Sequence, residues 1–342
     1  MKCTSNRGIG ERTGRTLRLR LLLVLLLCVC ISASGCGMAA PLSFEENAEY
    51  STFNFLVRSS GAAQVADPFA ADLCVVNTNV IPQDVVLPDV ADDMAAALFD
   101  VSGRRTIYAS NANMKVYPAS LTKVMTSLVA LKYSSPDEIL TASENVVINE
   151  ANVTVAGLQP GDTMTLSQAL NLLLINSAND VAILIAENIG GSVNEFIRMM
   201  NAEAARLGAT NTNFINSNGL TDENHYTTLY DLYLIFSAAL KYETFTEIIS
   251  RSRYTTVYHD RNGLDKEVDV YSTNNYLMSY SKPPAGITVV GGKTGTTYAA
   301  GHCLMVLCRD TLGKPYIGVV MKAPTNEKCY AAMNELMDLI PR

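Results

Sequence analysis

Ser120 and Lys123 form a Ser-x-x-Lys pattern, a spacing that can make a serine reactive. Residues three apart share one face of a helix, so the Ser120 hydroxyl and the Lys123 amine can meet. A serine hydroxyl is a weak nucleophile unless a neighbouring base takes its proton. Burial or a second cation lowers the pKa of a lysine and favours the neutral amine that this step needs. The pattern is also common by chance, so alone it predicts little.

A second candidate is Ser177-Ala178-Asn179, where four polar residues interrupt a long apolar run. Polar residues grouped at one point of an otherwise apolar segment indicate a function there, such as contact with a substrate or a proton relay. The alternative is a turn between two helices, in which Asn179 and Asp180 cap the second helix. By itself, this segment favours the turn.

The third candidate is Lys293-Thr294-Gly295-Thr296, which follows a strand-like run. A lysine on a strand beside a cleft offers a fixed cation for a substrate carboxylate, and the threonines add hydroxyl donors. The glycine lets another backbone approach the strand closely. The alternative is a surface turn rich in glycine and threonine.

The elements that must position these residues follow the order strands, helices, strands. Two short apolar runs around Ser-Gly predict a hairpin, and capping boxes at Thr165, Ser192 and Thr228 predict a helical middle. The predicted helices cover 121–131, 166–175, 181–189, 192–208, 228–241 and 326–340. The predicted strands cover 95–100, 106–109, 253–259, 266–271, 287–291, 303–308 and 316–321, with one more near 73–76. Because βα units do not alternate, an α+β fold is expected, with a mostly antiparallel sheet beside a helical block.

The composition is that of a folded protein with an acidic body. Of 342 residues 48% are hydrophobic and 17% are charged, which excludes intrinsic disorder. The formal net charge is −7, although the first twenty residues are basic. An acidic body argues against nucleic-acid binding, which needs basic surface to displace counterions. The sequence has no paired-histidine or CxxC spacing, so we expect no metal and no cofactor.

The three candidates together are much more specific than each alone. Ser-x-x-Lys, Ser-x-Asn and Lys-Thr-Gly occur in this order in penicillin-binding proteins and class A β-lactamases. From about Ala95 to its C-terminus, the sequence resembles the serine D-alanyl-D-alanine carboxypeptidases of the peptidase S11 family, also called low-molecular-weight penicillin-binding proteins. Further matching segments are Met200-Asn201, Leu207-Gly208, Asn218-Gly219-Leu220, His225-Tyr226-Thr227-Thr228 and Ala300-Gly301.

The resemblance implies a fold and a set of roles. The fold would be that of β-lactamases and DD-peptidases, a five-stranded antiparallel sheet packed with helices beside an all-helical subdomain. Ser120 would be acylated, Lys123 would be its base, and Ser177 and Asn179 would relay protons and hold the substrate amide. The strand residues Lys293, Thr294, Gly295 and Thr296 would bind substrate, with the backbone N–H groups of Ser120 and Thr296 as the oxyanion hole.

The implied substrate is the D-Ala-D-Ala end of the peptidoglycan stem peptide, and β-lactam antibiotics would acylate the same serine. Alternatives that use the same motifs are a DD-endopeptidase acting on cross-links and a non-catalytic penicillin-binding lipoprotein. A β-lactamase is disfavoured, because residues 180–292 lack the Glu-x-x-Leu-Asn context of its deacylating glutamate. Ala178 stands where many relatives have glycine. The separate β-rich domain that follows the catalytic domain in many relatives is not expected here.

Residues 1–39 have the pattern of an export signal, with a basic start, an apolar run of eleven residues and small residues after it. The small residues before Cys36 resemble the lipidation signal of bacterial lipoproteins, although Ala33 stands where that pattern prefers leucine. Cleavage after Ala39 and an uncleaved anchor are the alternatives, and all three place the protein outside the cytoplasm. Residues 40–90 are predicted to be a tether and 91–342 the catalytic domain. Cys74, Cys303, Cys308 and Cys329 allow three disulfide pairings or remain buried thiols.

Overall fold

A five-stranded antiparallel sheet lies at the centre of the computed structural model, which describes residues 72–150 and 153–341. The strands of the described residues are β1 Ala95–Asp100, β2 Arg105–Ser110, β3 Ile139–Thr141, β4 Thr163–Thr165, β5 Arg253–His259, β6 Asp265–Tyr271, β7 Thr288–Thr297, β8 Gly301–Arg309 and β9 Pro315–Ala323. The α-helices are α1 Thr122–Tyr133, α2 Leu166–Asn171, α3 Asn179–Gly190, α4 Val193–Arg206, α5 Leu229–Ala239, α6 Glu243–Ile249 and α7 Asn326–Asp338. This is the predicted α+β class.

The central sheet has the strand order β2-β1-β9-β8-β7, so β7 lies at one edge. One face packs against α7 and the other against the helical block, which explains why β8 and β9 are buried on both faces and read as continuous apolar runs. The predicted strand 287–291 is longer than expected. It continues through Lys293 to Thr297, paired with β8 so that Lys293 lies opposite Met305.

A second sheet, of order β3-β4-β5-β6, accompanies the helical block. The expectation of an all-helical subdomain is therefore wrong in this respect. The strands β5 and β6 lie where 253–259 and 266–271 were predicted, but β3 and β4 have only three residues each, too few for a periodicity to show. The short helix α6 was likewise not predicted.

The helix starts follow their capping residues. Thr165 and Gln168 form a reciprocal capping box, and the Ser192 and Thr228 hydroxyls each accept a backbone N–H three residues on. The predicted helix 166–175 is interrupted, since α2 passes at Leu172 into a π-helical turn, Leu172–Asn176. That turn ends at Ser177, which has φ +69°. The apolar pattern predicts burial along this stretch but not the change of helix type.

Residues 72–90 lie against the domain rather than apart from it. The side chains of Cys74 and Val76 are buried in the main core, and the Cys74 N–H donates to the Tyr233 hydroxyl at 2.9 Å. No strand forms at 73–76, so that prediction is wrong; the segment is held by side chains and by a single bridge between Val80 and Ala109. The part of the predicted tether before Asp72 lies outside the described residues, as do the predicted export signal and Cys36. The division of the chain at 39 and 90 stays a prediction.

The described cysteines, Cys74, Cys303, Cys308 and Cys329, are all buried free thiols. Burial raises the pKa of each thiol, so all four are held in the protonated, unreactive form. Of the helices described here, none has the combination of length and hydrophobicity that crossing a bilayer requires.

Candidate active site

Ser120 lies in a short 3-10 turn, Ala119–Leu121, that leads directly into α1. Pro118 precedes the turn, where its missing N–H costs nothing. Ala119 has φ +49°, a conformation that alanine rarely adopts and that neighbouring contacts must hold in place. The turn points the Ser120 side chain into a cleft, while α1 is buried from Thr122 to Ala130.

Lys123 lies one turn further along α1 and is completely buried. Its Nζ is 2.9 Å from Ser120 Oγ, 2.9 Å from Asn179 Oδ1 and 2.6 Å from the Asn218 carbonyl oxygen. The last two groups only accept hydrogen bonds, so they take the two N–H groups of a neutral amine. The nitrogen lone pair of that amine then faces the Ser120 hydroxyl.

The electrostatic surroundings of Lys123 favour this neutral form. Desolvation lowers its pKa well below the usual value, and the positive charge of Lys293 lowers it further. The negative charge of Asp180 acts in the opposite direction and is the smallest of the three causes. A lysine with a depressed pKa beside a serine hydroxyl is a general base in position.

Ser177 and Asn179 reach the site from the junction between the π-helical turn and α3. Ser177 adopts the left-handed conformation and lines the cleft beside Ser120. Asn179 donates from Nδ2 to the Thr154 carbonyl at 2.8 Å, which fixes its amide so that Oδ1 faces Lys123. Asn179 is the first residue of α3, but the N-cap is Ala178 and no side chain caps it, so the expected helix cap by Asn179 does not form.

Lys293 enters the site from β7 and is also buried, with 1% of its surface exposed. Desolvation lowers its pKa to about 7, and its Nζ donates to the Thr294 carbonyl at 3.0 Å. The Thr294 hydroxyl is 2.5 Å from that of Thr273 and lines the cleft. A buried amine that is close to losing its proton gains much from an incoming carboxylate.

Gly295 lets β7 lie against the Ser120 turn. A Cβ at this position would be 3.1 Å from the Ser120 nitrogen and 3.2 Å from the Pro118 oxygen, both backbone atoms. A glycine at this position predicts the close approach but not which backbone segment it meets. Thr296 follows on the same strand, and its hydroxyl is 3.4 Å from Nδ1 of His302.

Two cavities of about 450 and 270 Å³ meet at Ser120. Both are lined by Ser120, Ser177, Thr154 and Thr296; Asn179 lines only the larger one, and Thr294 and Gly295 line only the smaller one. The buried amines of Lys123 and Lys293 lie behind these walls. All eight predicted site residues from the three motifs are therefore brought to one place.

Asn218 and Gly219 also belong to the site, although the sequence predicts no role for them beyond their place in a segment that matches the family. The Asn218 carbonyl binds Lys123, and a Cβ on Gly219 would lie 1.9 Å from the Ala119 oxygen. Gly219 has φ +90°, so the Asn-Gly pair could have been read as a tight turn, but not as one that meets Ser120.

His225 is buried next to the site without taking part in it. Its Nδ1 accepts the Ile215 N–H, so Nε2 carries the proton and donates to the Thr122 hydroxyl at 2.9 Å. Burial lowers its pKa to about 4, which keeps the ring neutral at pH 7. Both ring nitrogens are thus used in hydrogen bonds within the protein, which gives His225 a structural role.

Comparison with known proteins shows the family to which the chain belongs. Residues 83–325 match the family model Peptidase S11, described as D-alanyl-D-alanine carboxypeptidase. The chain belongs to the peptidase S11 family. The D-alanyl-D-alanine carboxypeptidase DacF of Bacillus subtilis is 33% identical over 250 residues, which are 71% of this chain and 61% of the relative. The chain thus spans less than two thirds of that S11 protein's length.

Other members and solved structures extend the comparison. A D-alanyl-D-alanine endopeptidase of Pseudomonas aeruginosa is 28% identical over 228 residues, or 66% of this chain and 70% of the relative. Among solved structures, the DD-transpeptidase of Streptomyces K15 superposes with a TM-score of 0.66 at 27% identity, covering 71% of this chain and 95% of that one. The fold is therefore that of the DD-peptidases.

Proposed function

We propose that this S11 protein is a serine DD-carboxypeptidase that removes the terminal D-alanine from peptidoglycan stem peptides through an acyl-enzyme on Ser120. One observation carries the proposal: Lys123 Nζ, buried and with a depressed pKa, lies 2.9 Å from Ser120 Oγ with both of its N–H groups directed to other acceptors. That arrangement is suited to removing the serine proton as the hydroxyl attacks a carbonyl.

Acylation begins when the lone pair of Lys123 accepts the Ser120 proton. The oxygen attacks the carbonyl carbon of the penultimate D-alanine, and the backbone N–H groups of Ser120 and Thr296 hold the resulting oxyanion. One such donor contributes about 3 kcal/mol to lowering the barrier. The C–N bond then breaks, and the leaving D-alanine amine takes the proton from Lys123 by way of Ser177, which restores the neutral lysine. Water later cleaves the ester and frees Ser120.

The substrate peptide would extend the central sheet at its open edge. Because β7 is an edge strand, its outer backbone groups can pair with an extended peptide. The free carboxylate of the terminal D-alanine would then reach Lys293 and Thr294, while Asn179 holds the substrate amide. β-Lactam antibiotics would enter the same groove and acylate Ser120.

We propose that the protein acts outside the cytoplasm, at the outer face of the membrane or in the cell wall. The support is the basic and apolar pattern of residues 1–39 and the small residues before Cys36, the proposed site of lipid attachment. The cell-wall substrate proposed above requires the same compartment.

The proposal is tested by two measurements on the purified protein. Intact mass after incubation with penicillin should increase by one penicillin, and Ser120→Ala should abolish that increase. The peptide Lys-D-Ala-D-Ala should release free D-alanine. An unmodified mass together with no D-alanine release would refute a catalytic role and favour a binding lipoprotein.

The endopeptidase remains the second candidate, because one curated relative carries that name. It would use the same serine but cleave a D-alanyl bond within a cross-link. A cross-linked peptide dimer and the pentapeptide monomer, supplied at equal concentration, distinguish the two. Faster release of D-alanine from the monomer supports the carboxypeptidase, and faster splitting of the dimer supports the endopeptidase.

A further inference from the structure

Asp180 is a buried carboxylate next to Asn179 that the steps above do not use. Only 1% of its surface is exposed. It lies in the first turn of α3, where an acidic side chain commonly serves the helix's own N–H groups. Here one of its oxygens accepts the Val181 N–H at 2.9 Å, but most of its hydrogen bonds go elsewhere.

The other hydrogen bonds of Asp180 hold the segment 153–158, which has no regular secondary structure. Oδ1 accepts the Ala156 N–H at 2.9 Å, and Oδ2 accepts those of Gly157 and Leu158 at 2.8 and 3.1 Å. Three consecutive backbone amides are thus bound by one side chain more than twenty residues away. Without that acceptor these amides would lose their partner, at a cost for each buried one.

The same segment meets the catalytic residues through Thr154. The Thr154 carbonyl accepts both the backbone N–H of Asn179, at 2.9 Å, and its side-chain Nδ2–H, at 2.8 Å. Thr154 therefore decides which end of the Asn179 amide faces Lys123. Thr154 also lines both cavities that meet at Ser120.

We propose that Asp180 is a positioning residue of the acylation step: by fixing the segment 153–158 it places the Thr154 carbonyl, which orients the Asn179 amide toward Lys123. The inference rests on the proposed acyl-enzyme function. If the segment shifts, the Asn179 amide is free to turn, and Lys123 loses an acceptor that holds its lone pair toward Ser120.

Asp180→Asn is the main test, because an amide keeps the size of the side chain but brings an NH₂ group against backbone N–H donors. We expect the plateau rate of Ser120 acylation by a fluorescent penicillin to fall about 10- to 100-fold, in line with the effect of a misplacement of about 1 Å on a reacting group. Asp231→Asn is the matched control. Asp231 is also buried in a helix's first turn and binds a distant loop, through Asn211 and Thr212.

The pH profile separates positioning from general loosening. Lys293 on β7 and Asp180 on α3 are the charged groups that shift the pKa of Lys123. In Asp180→Asn, Lys123 loses a nearby negative charge and a well-placed hydrogen-bond acceptor, and both losses favour its neutral form. The acid limb of the pH–rate profile of acylation should therefore move to lower pH. Loosening that admits water would relieve desolvation and move the limb to higher pH.

Gly157→Ala gives a second, independent test that leaves the Asp180 carboxylate in place. Gly157 has φ +84° and open space around a Cβ, so alanine strains the segment without a clash. Gly191→Ala is its control, with φ +71° and equally open space beyond the end of α3. We expect Gly157→Ala, but not Gly191→Ala, to slow acylation several-fold.

The outcomes are distinct. Slower acylation in both Asp180→Asn and Gly157→Ala, normal acylation in both controls and an acid limb shifted to lower pH support the inference. Acylation within twofold of wild type in Asp180→Asn, or an acid limb shifted to higher pH, overturns it. If Asp180→Asn does not fold, Gly157→Ala decides alone, and normal acylation of that variant overturns the inference. A wild-type protein that penicillin does not acylate would refute the proposed function instead.

Discussion

At the scale of single residues, the site depends on two buried amines with different tasks. In the proposed mechanism, Lys123 must be neutral to accept a proton, whereas Lys293 must be protonated to hold a carboxylate. Burial lowers the pKa of both, and the charge of Lys293 adds to the effect on Lys123. A substrate carboxylate at Lys293 stabilises its protonated form, so the substrate itself favours the charge state that the site needs.

Lys123→Arg should abolish acylation while leaving the fold intact. Arginine stays protonated at any working pH and has no lone pair to offer Ser120. In the wild type, acylation should rise with pH through the depressed pKa of Lys123, since the neutral amine is the active form. Stopped-flow labelling with a fluorescent penicillin measures both effects, with circular dichroism as the check on folding. Normal labelling of Lys123→Arg would exclude the lysine as base.

Lys293→Arg should change how the KM for the substrate depends on pH above neutrality. Lys293 has a pKa of about 7 in the free protein, so its positive charge is present below that pH and is lost above it. The KM for Lys-D-Ala-D-Ala should therefore rise as pH increases from 7 to 9. Arginine keeps its charge across this range, so in Lys293→Arg the KM should stay level. A KM that rises equally in both proteins would contradict this assignment.

At the scale of elements, the position of Ser120 depends on close backbone approaches that only glycine permits. The turn at Ala119–Leu121 is contacted by Gly219 on one side and by Gly295 of β7 on the other. These contacts also explain how Ala119 is held at a positive φ. The elements were largely predictable from apolar spacing and capping residues, because those signals are local.

Gly219→Ala should displace the Ser120 turn as well as strain the backbone at residue 219. A Cβ there would lie 1.9 Å from the Ala119 oxygen, which can be relieved only by moving the Ser120 turn. Gly263→Ala is the control, with a similar φ of +78° and no atom within 4 Å. The control should cost about 1 kcal/mol of unfolding free energy and leave acylation unchanged. Gly219→Ala should lose more stability and most acylation, as urea unfolding and penicillin labelling would report.

The contacts between distant segments could not be predicted from the sequence. The three motifs, with Ser120, Ser177 and Lys293, were found because their residue types suit one chemistry and their order matches a known family. The Asn218 carbonyl and the Thr154 carbonyl were missed, because every residue has a carbonyl and only the fold decides which one is used. The strands β3 and β4 were missed because three residues carry no periodicity.

At the scale of the whole molecule, the central sheet separates two cores and brings the site together. The Ser120 turn and α3 belong to the helical side, while β7 supplies Lys293 from the edge of the sheet. Residues 72–90, which precede the predicted catalytic domain 91–342, also pack against it. Cys74 lies between Tyr230 and Tyr233 of α5, donating to one hydroxyl and accepting from the other.

A chain that begins at residue 91 should therefore be less stable than one that begins at residue 72. The shorter chain loses the buried Val76 and Cys74 side chains, two hydrogen bonds to the α5 tyrosines and the paired bonds between Val80 and Ala109. Burial of one valine side chain alone is worth about 2 kcal/mol. With four hydrogen bonds at about 1 kcal/mol each, the total loss is about 6 kcal/mol. For a domain of this size that corresponds to a fall in Tm of roughly 12–24 °C, measurable by calorimetry. Because none of these residues lines the cavities at Ser120, penicillin labelling of the folded fraction should be the same in both chains. Equal Tm values would mean that residues 72–90 do not stabilise the domain and act only as the tether that the sequence predicts.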